Sequence, residues 1–179
     1  TFPAPGKAKN FRFAFGSCFR PGHDPAFAGE TFEKLQGEKD ISFMLMLGDQ
    51  IYADEYKYNG LGHIASTLDE YRFVYKNTWS NERLHNLLAK TPVFMTLDDH
   101  EVDDDWHWQD NKREAANFSG FTKNMRFLTG RPRSEHELSV ERVRHALQAY
   151  WEHQGMHAPK LLMPPELNKS NQFTFHEKD

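Results

Sequence analysis

Ile41-Ser42-Phe43-Met44-Leu45-Met46-Leu47-Gly48-Asp49 is the stretch on which the fold turns. Apart from Ser42, every residue from Ile41 to Leu47 is apolar. The run is far shorter than the roughly 20 residues a membrane span needs, and it reads as a strand buried on both faces. Upstream, Phe11-Arg12-Phe13-Ala14-Phe15 alternates with period two and leaves its strand at Gly16-Ser17-Cys18. Downstream, Pro92-Val93-Phe94-Met95-Thr96-Leu97 is a third strand that ends at Asp98-Asp99. Helical patterns fill the gaps. One covers Thr31 to Leu35, another follows the capping box Thr67-Leu68-Asp69-Glu70 to about Trp79, and a third runs from Glu82 to Lys90.

Strand, helix, strand, paired helices, strand is the rhythm of parallel crossovers, so the fold class is α/β. Ligands of such sheets bind beyond the carboxyl ends of the strands. Here all three strands end in a residue able to bind metal or do chemistry: Cys18, Asp49 and Asp98-Asp99. Further helices are expected over Arg113–Leu128 and over Val140–His153, the latter stopped by Gly155, and Gln172-Phe173-Thr174-Phe175-His176 alternates like a strand. Because this alternation lies at the end of the sequence, residues 1–179 read as one domain, expected to be incomplete.

The composition fits one globular unit. Of 179 residues, 38% are hydrophobic and fifteen are Phe, which excludes a disordered chain. A net charge of -4 supplies no global basic field for nucleic acid or acidic membrane. The single cysteine, Cys18, excludes an internal disulfide and a thiolate-rich zinc finger. No charged-then-apolar signal segment precedes Phe11.

In Gly48-Asp49-Gln50-Ile51-Tyr52-Ala53-Asp54, a strand-end carboxylate able to serve two cations precedes a phenol, a hard oxygen suited to a ferric ion. The bland alternative is an Asp closing a turn beside a packed Tyr. Asp98-Asp99-His100-Glu101-Val102-Asp103-Asp104-Asp105-Trp106 is harder to dismiss. Six carboxylates in eight positions repel one another unless cations or solvent relieve them. A solvated surface loop fits poorly between an apolar strand and two Trp. A zincin would need His at position 104 and an EF-hand starting at Asp99 would need Gly there, and the residue is Asp104. Cys18 reads as a small buried hydrophobe, as a catalytic thiol, or as a metal-bound thiolate, and its strand-end position favours the last. His100 is placed to donate a proton to a leaving oxygen. Arg20 and Arg12 are cations that could assist a phosphate. His23, His63 and His176 have no evident partner.

Taken together, Gly16-Ser17-Cys18, Gly48-Asp49-Gln50-Ile51-Tyr52 and Asp98-Asp99-His100-Glu101-Val102-Asp103 resemble the alkaline phosphatase D, or PhoD-like, branch of the metallophosphoesterases. Residues 11 to 110 carry most of the resemblance. It implies part of a four-layer α/β/β/α sandwich, mainly its first sheet, and metal-dependent hydrolysis of phosphomonoesters and phosphodiesters. It implies Fe3+ and Ca2+ as cofactors, with Cys18 and Tyr52 as ligands of iron, Asp49 as the bridging carboxylate, Asp99 as a ligand of the second metal site and His100 as the group that assists the leaving oxygen. Arg20 is a weaker candidate for substrate contact. The family's later Asp/His cluster and distal His are not found before Asp179, so weak or absent catalysis is expected of these residues alone. Relatives are secreted or held in the cell envelope. The partner implied is a small phosphoester, with no nucleic-acid signal and no transmembrane segment. Two other readings stand beside this one: a non-catalytic cation-binding or interaction domain built on Asp98–Asp105, and a hydrolase using Cys18 as nucleophile with His100.

Overall fold

The computed structural model describes residue 6, residues 11–107 and 137–155, and the two-residue strands 113–114, 166–167 and 173–174. The elements are β1 (Arg12–Gly16), α1 (Glu30–Gly37), β2 (Ile41–Leu47), α2 (Leu68–Trp79), α3 (Glu82–Leu88), β3 (Val93–Thr96), β4 (Arg113–Glu114), β5 (Glu137–Leu138), α4 (Val140–His153), β6 (Glu166–Leu167) and β7 (Phe173–Thr174).

The three long strands form one parallel sheet in the order β1-β2-β3. Phe15 pairs with Leu45, and Leu45 in turn with Phe94. This adjacency is what the strand-end argument required, because it places residues 18, 49 and 98–99 along one edge. Gly48 lets the loops after β2 and β3 meet. Its φ is 95°, and a Cβ there would lie 2.3 Å from the Asp98 Cβ, so both backbone conformation and space demand glycine.

Local chemistry explains the helices. Thr67 and Glu70 form the expected reciprocal cap on α2, with Glu70 N–H donating to Thr67 Oγ1 and Thr67 N–H donating to the Glu70 carboxylate. Ser139 caps α4 by accepting from the Arg142 N–H. Met44 and Met46 face one side of the sheet and pack with Phe32, Leu84 and Leu87 of α1 and α3. A second core joins α2 to α4 through Tyr71, Val74, Tyr75, Val143, Ala146 and Leu147, together with Ile51, Ala53, Val102 and Trp106 from the strand-end loops. Those loops are therefore anchored in a core and are not solvated excursions.

Two expectations need correction. β2 is not buried on both faces: Met44 and Met46 are covered, whereas Leu47 is exposed. The opposite face carries Phe11, Phe13, Phe15 and Phe94, all exposed, and Phe13 stacks on Phe43 at 5.3 Å between ring centroids. An apolar run describes composition and cannot say which face finds a neighbour. The start of the expected helix over 113–128 is instead strand β4, which pairs antiparallel with β5. The remainder of that segment lies outside the described residues. Of the alternation at 172–176, Phe173–Thr174 is strand β7, paired antiparallel with β6, and the rest likewise lies outside.

Candidate functional site

Each strand end delivers its residue to the same place. Cys18 Sγ donates to Asp49 Oδ2 at 3.2 Å, and Tyr52 Oη donates to the same oxygen at 3.4 Å. Ligand-capable atoms of Asp49, Asp99 and His100 lie within 4.8 Å of one another. Cys18 and Asp49 both hold left-handed backbone, with φ of 63° and 54°. Such conformations cost on the order of 1 kcal/mol or more for residues other than glycine and gather at functional sites. Neighbouring backbone holds them in place: Cys18 N–H donates to Gly48 O and Phe19 N–H donates to Asp49 O at 2.9 Å. Cys18 is exposed, not a buried hydrophobe.

Asp49 is only 6% exposed, and its Oδ1 has no hydrogen-bond partner. Burial raises its pKa, opposed by the Cys18 thiol and the His100 charge. Burial likewise raises the Tyr52 hydroxyl, helped by Cys18 and the Asp49 charge. A buried, partly bare carboxylate oxygen beside a thiol and a phenol is poorly satisfied by protein alone. A cation would relieve all three groups, since it favours each deprotonated form. Asp49, Asp99 and His100 are together placed to hold a cation, and Cys18 and Tyr52 both bond to the Asp49 carboxylate.

His100 approaches from the other side. Its Nδ1 lies 2.9 Å from both carboxylate oxygens of Asp54, and its Nε2 lies 3.9 Å from Asp104 Oδ1. Its ring lies 4.2 Å from that of Tyr52. Burial alone would lower its pKa, but Asp54, Asp49 and Asp99 raise it to about 9. Asp54 was not singled out in the sequence, although a second carboxylate in the Asp49 loop was a visible signal.

Hydrogen bonds and one buried ion pair hold parts of the acidic run. Asp54 accepts the Asp104 N–H and Asp99 accepts the Asp105 N–H at 2.6 Å. Asp103 pairs with the buried Arg142 of α4 at 2.7 Å. Glu101, fully buried, accepts N–H groups of Asp49, Gln50 and Asp98. Arg20 sits at the rim, bonded to Glu55 and lying over the Tyr52 and Tyr58 rings. Arg12 is not at the site: it begins β1 and pairs with Glu38. His63 does have a partner, Glu70, at 2.8 Å.

The PhoD-like phosphatase family model matches residues 13–175. The chain belongs to this family. It is 29% identical to alkaline phosphatase D of Bacillus subtilis (strain 168) over 98% of its own length and 28% of that protein. A solved structure of PhoD superposes with a TM-score of 0.59 and 25% identity, covering 94% of this chain and 30% of the other. The chain thus spans less than a third of the length of these relatives. The parallel sheet with its helices agrees with the metallophosphoesterase-like α/β fold of this PhoD-like chain. No described helix is long and apolar enough to cross a membrane.

Proposed function

We propose that this strand-end cluster belongs to a metal-dependent hydrolase of phosphomonoesters and phosphodiesters, residues 1–179 forming part of one catalytic domain. The convergence of Cys18 and Tyr52 on a buried Asp49 whose second oxygen has no partner supports the reading most. In it, Cys18, Tyr52 and Asp49 would hold iron, and Asp49 and Asp99 would hold the second cation, calcium. When bound, the cations supply charge for the phosphoryl oxygens and lower the pKa of a water nucleophile. His100 is held protonated by Asp54, so its Nε2 can give a proton to the departing oxygen. Arg20 supplies a rim cation for the substrate. Export, by likeness to the family, accompanies this reading.

The test is hydrolysis of p-nitrophenyl phosphate and bis-p-nitrophenyl phosphate by the protein carrying this sequence, before and after chelation and with metal returned. Chelation abolishes turnover, metal restores it, and Asp49→Ala leaves less than a tenth of the rate. A tenfold loss is only ~1.4 kcal/mol of barrier, small for removing a bridging ligand. Turnover indifferent to chelators but lost on thiol alkylation would support Cys18 as nucleophile instead. The group Asp99, Asp104 and Asp105, also within 4.8 Å, favours one further reading. Cation binding that survives Asp49→Ala, without phosphoester turnover, would support a binding domain centred there.

A further inference from the structure

Glu101 sits inside the acidic run and is fully buried, yet it faces no cation among its hydrogen-bond partners. Its carboxylate instead collects N–H groups. Oε2 accepts from Asp49 N at 3.2 Å and from Asp98 N at 3.1 Å. Oε1 accepts from Gln50 N at 2.7 Å and from Gln154 Nε2, at the end of α4, at 3.2 Å. Gln154 Nε2 also donates to Tyr75 Oη, tying the group to α2. A single carboxylate thus bridges the loops after β2 and β3 and the two helices behind them.

The position matters because these loops have no slack. Gly48 abuts Asp98, and Asp49 holds a left-handed backbone that an isolated loop would abandon. Strained conformations persist only where surrounding contacts over-determine them, and the Asp49 N–H is one of the contacts fixed here. Asp99 lies between two residues of this lattice, Asp98 and Glu101. We infer that Glu101 is a positioning residue: its carboxylate sets the separation of the Asp49 and Asp99 carboxylates by fixing the backbone of both loops, without itself touching cation or substrate.

This inference rests on the reading of Asp49 and Asp99 as cation ligands, so the experiment separates the two. Mn2+ is titrated calorimetrically into the chelator-stripped protein carrying this sequence, into its Asp49→Ala variant and into Glu101→Gln, whose amide replaces one accepting oxygen with a donor. Leu87→Ala, a core truncation remote from the site, controls for lost stability. Expected is Mn2+ binding by the native chain, its loss in Asp49→Ala, affinity at least tenfold weaker in Glu101→Gln, and native affinity in Leu87→Ala. Native affinity in Glu101→Gln with Asp49→Ala inactive overturns the positioning role alone. No binding by the native chain, or binding indifferent to Asp49→Ala, overturns the underlying reading and the inference with it. If Glu101→Gln does not fold, amide hydrogen exchange on the native chain decides. The Asp49, Gln50 and Asp98 amides should be protected together, and exchange at the rate of an open loop overturns the inference.

Discussion

Arg142 offers the sharpest test of how the acidic run is held. The residue is 2% exposed, and its guanidinium meets Asp103 Oδ1 at 2.7 Å, Ala65 O at 2.9 Å, Val102 O at 3.2 Å and Tyr71 Oη at 3.2 Å. Arg142→Met keeps an unbranched apolar stem but removes the guanidinium and its charge. The nearly buried Asp103 then loses its bond to the guanidinium, and Ala65 O loses this donor. Val102 O still accepts from Tyr71 Oη. Breaking a buried pair from one side costs about 3–5 kcal/mol, a large share of the roughly 5–15 kcal/mol that holds a domain together. In a domain of this size each kcal/mol moves Tm by about 2–4 °C, so the expected fall is roughly 6–20 °C. Circular dichroism melts would measure it. The double variant Arg142→Met, Asp103→Leu should recover more than half of the loss, because replacing both partners of a buried pair by apolar groups is often neutral. A single variant within about 1 kcal/mol of the native chain, or a double variant less stable than the single, would refute the view that this pair anchors the run.

Other outcomes follow from named contacts. Thr67→Ala removes one half of the α2 cap and should cost about 1 kcal/mol in urea denaturation, whereas an unchanged midpoint would mean the cap contributes nothing. Burial would raise the Glu70 carboxyl, but N–H groups of Thr67 and Ser66 and the His63 ring hold it down at about 2. The Arg72 guanidinium likewise lowers Glu152 to about 2, against a smaller opposing effect of burial. A depressed folded pKa contributes stability above the ordinary value of 4.5 and loses it as pH falls toward 2. Melts between pH 5 and 2.5 should therefore show a decline that Glu70→Gln flattens, and an identical slope in that variant would contradict the assignment. The exposed rings of Phe13 and Phe15, the latter 69% exposed, should make the 179-residue chain self-associate. Phe13→Thr with Phe15→Thr should lower light scattering at equal concentration, and unchanged scattering would place the sticky surface elsewhere.

The fold was legible where one physical cause dominates. β2 begins and ends where its apolar run does, from Ile41 to Leu47. α2 follows its cap at Thr67 and α4 covers Val140–His153 as its periodicity requires. That Cys18 and Asp99 each lie beside Asp49 followed from strand adjacency. What stayed hidden depends on partners distant in sequence. Glu101 and Asp103 look like two more solvated charges until Arg142 and Gln154 arrive from α4. Asp54 gains meaning only when the loop after β3 brings His100 against it. The 113–128 pattern misled because helical periodicity cannot foresee that Arg113 and Glu114 would find a strand partner in β5.

The central claim is that Asp49 holds a cation together with its strand-end neighbours. Crystals of the chain soaked in Mn2+ and measured by anomalous scattering test it most directly. A peak is expected within bonding distance of the Asp49 carboxylate, close to Asp99. A peak confined to Asp104 and Asp105, or none at the strand ends of a fully soaked crystal, would contradict it.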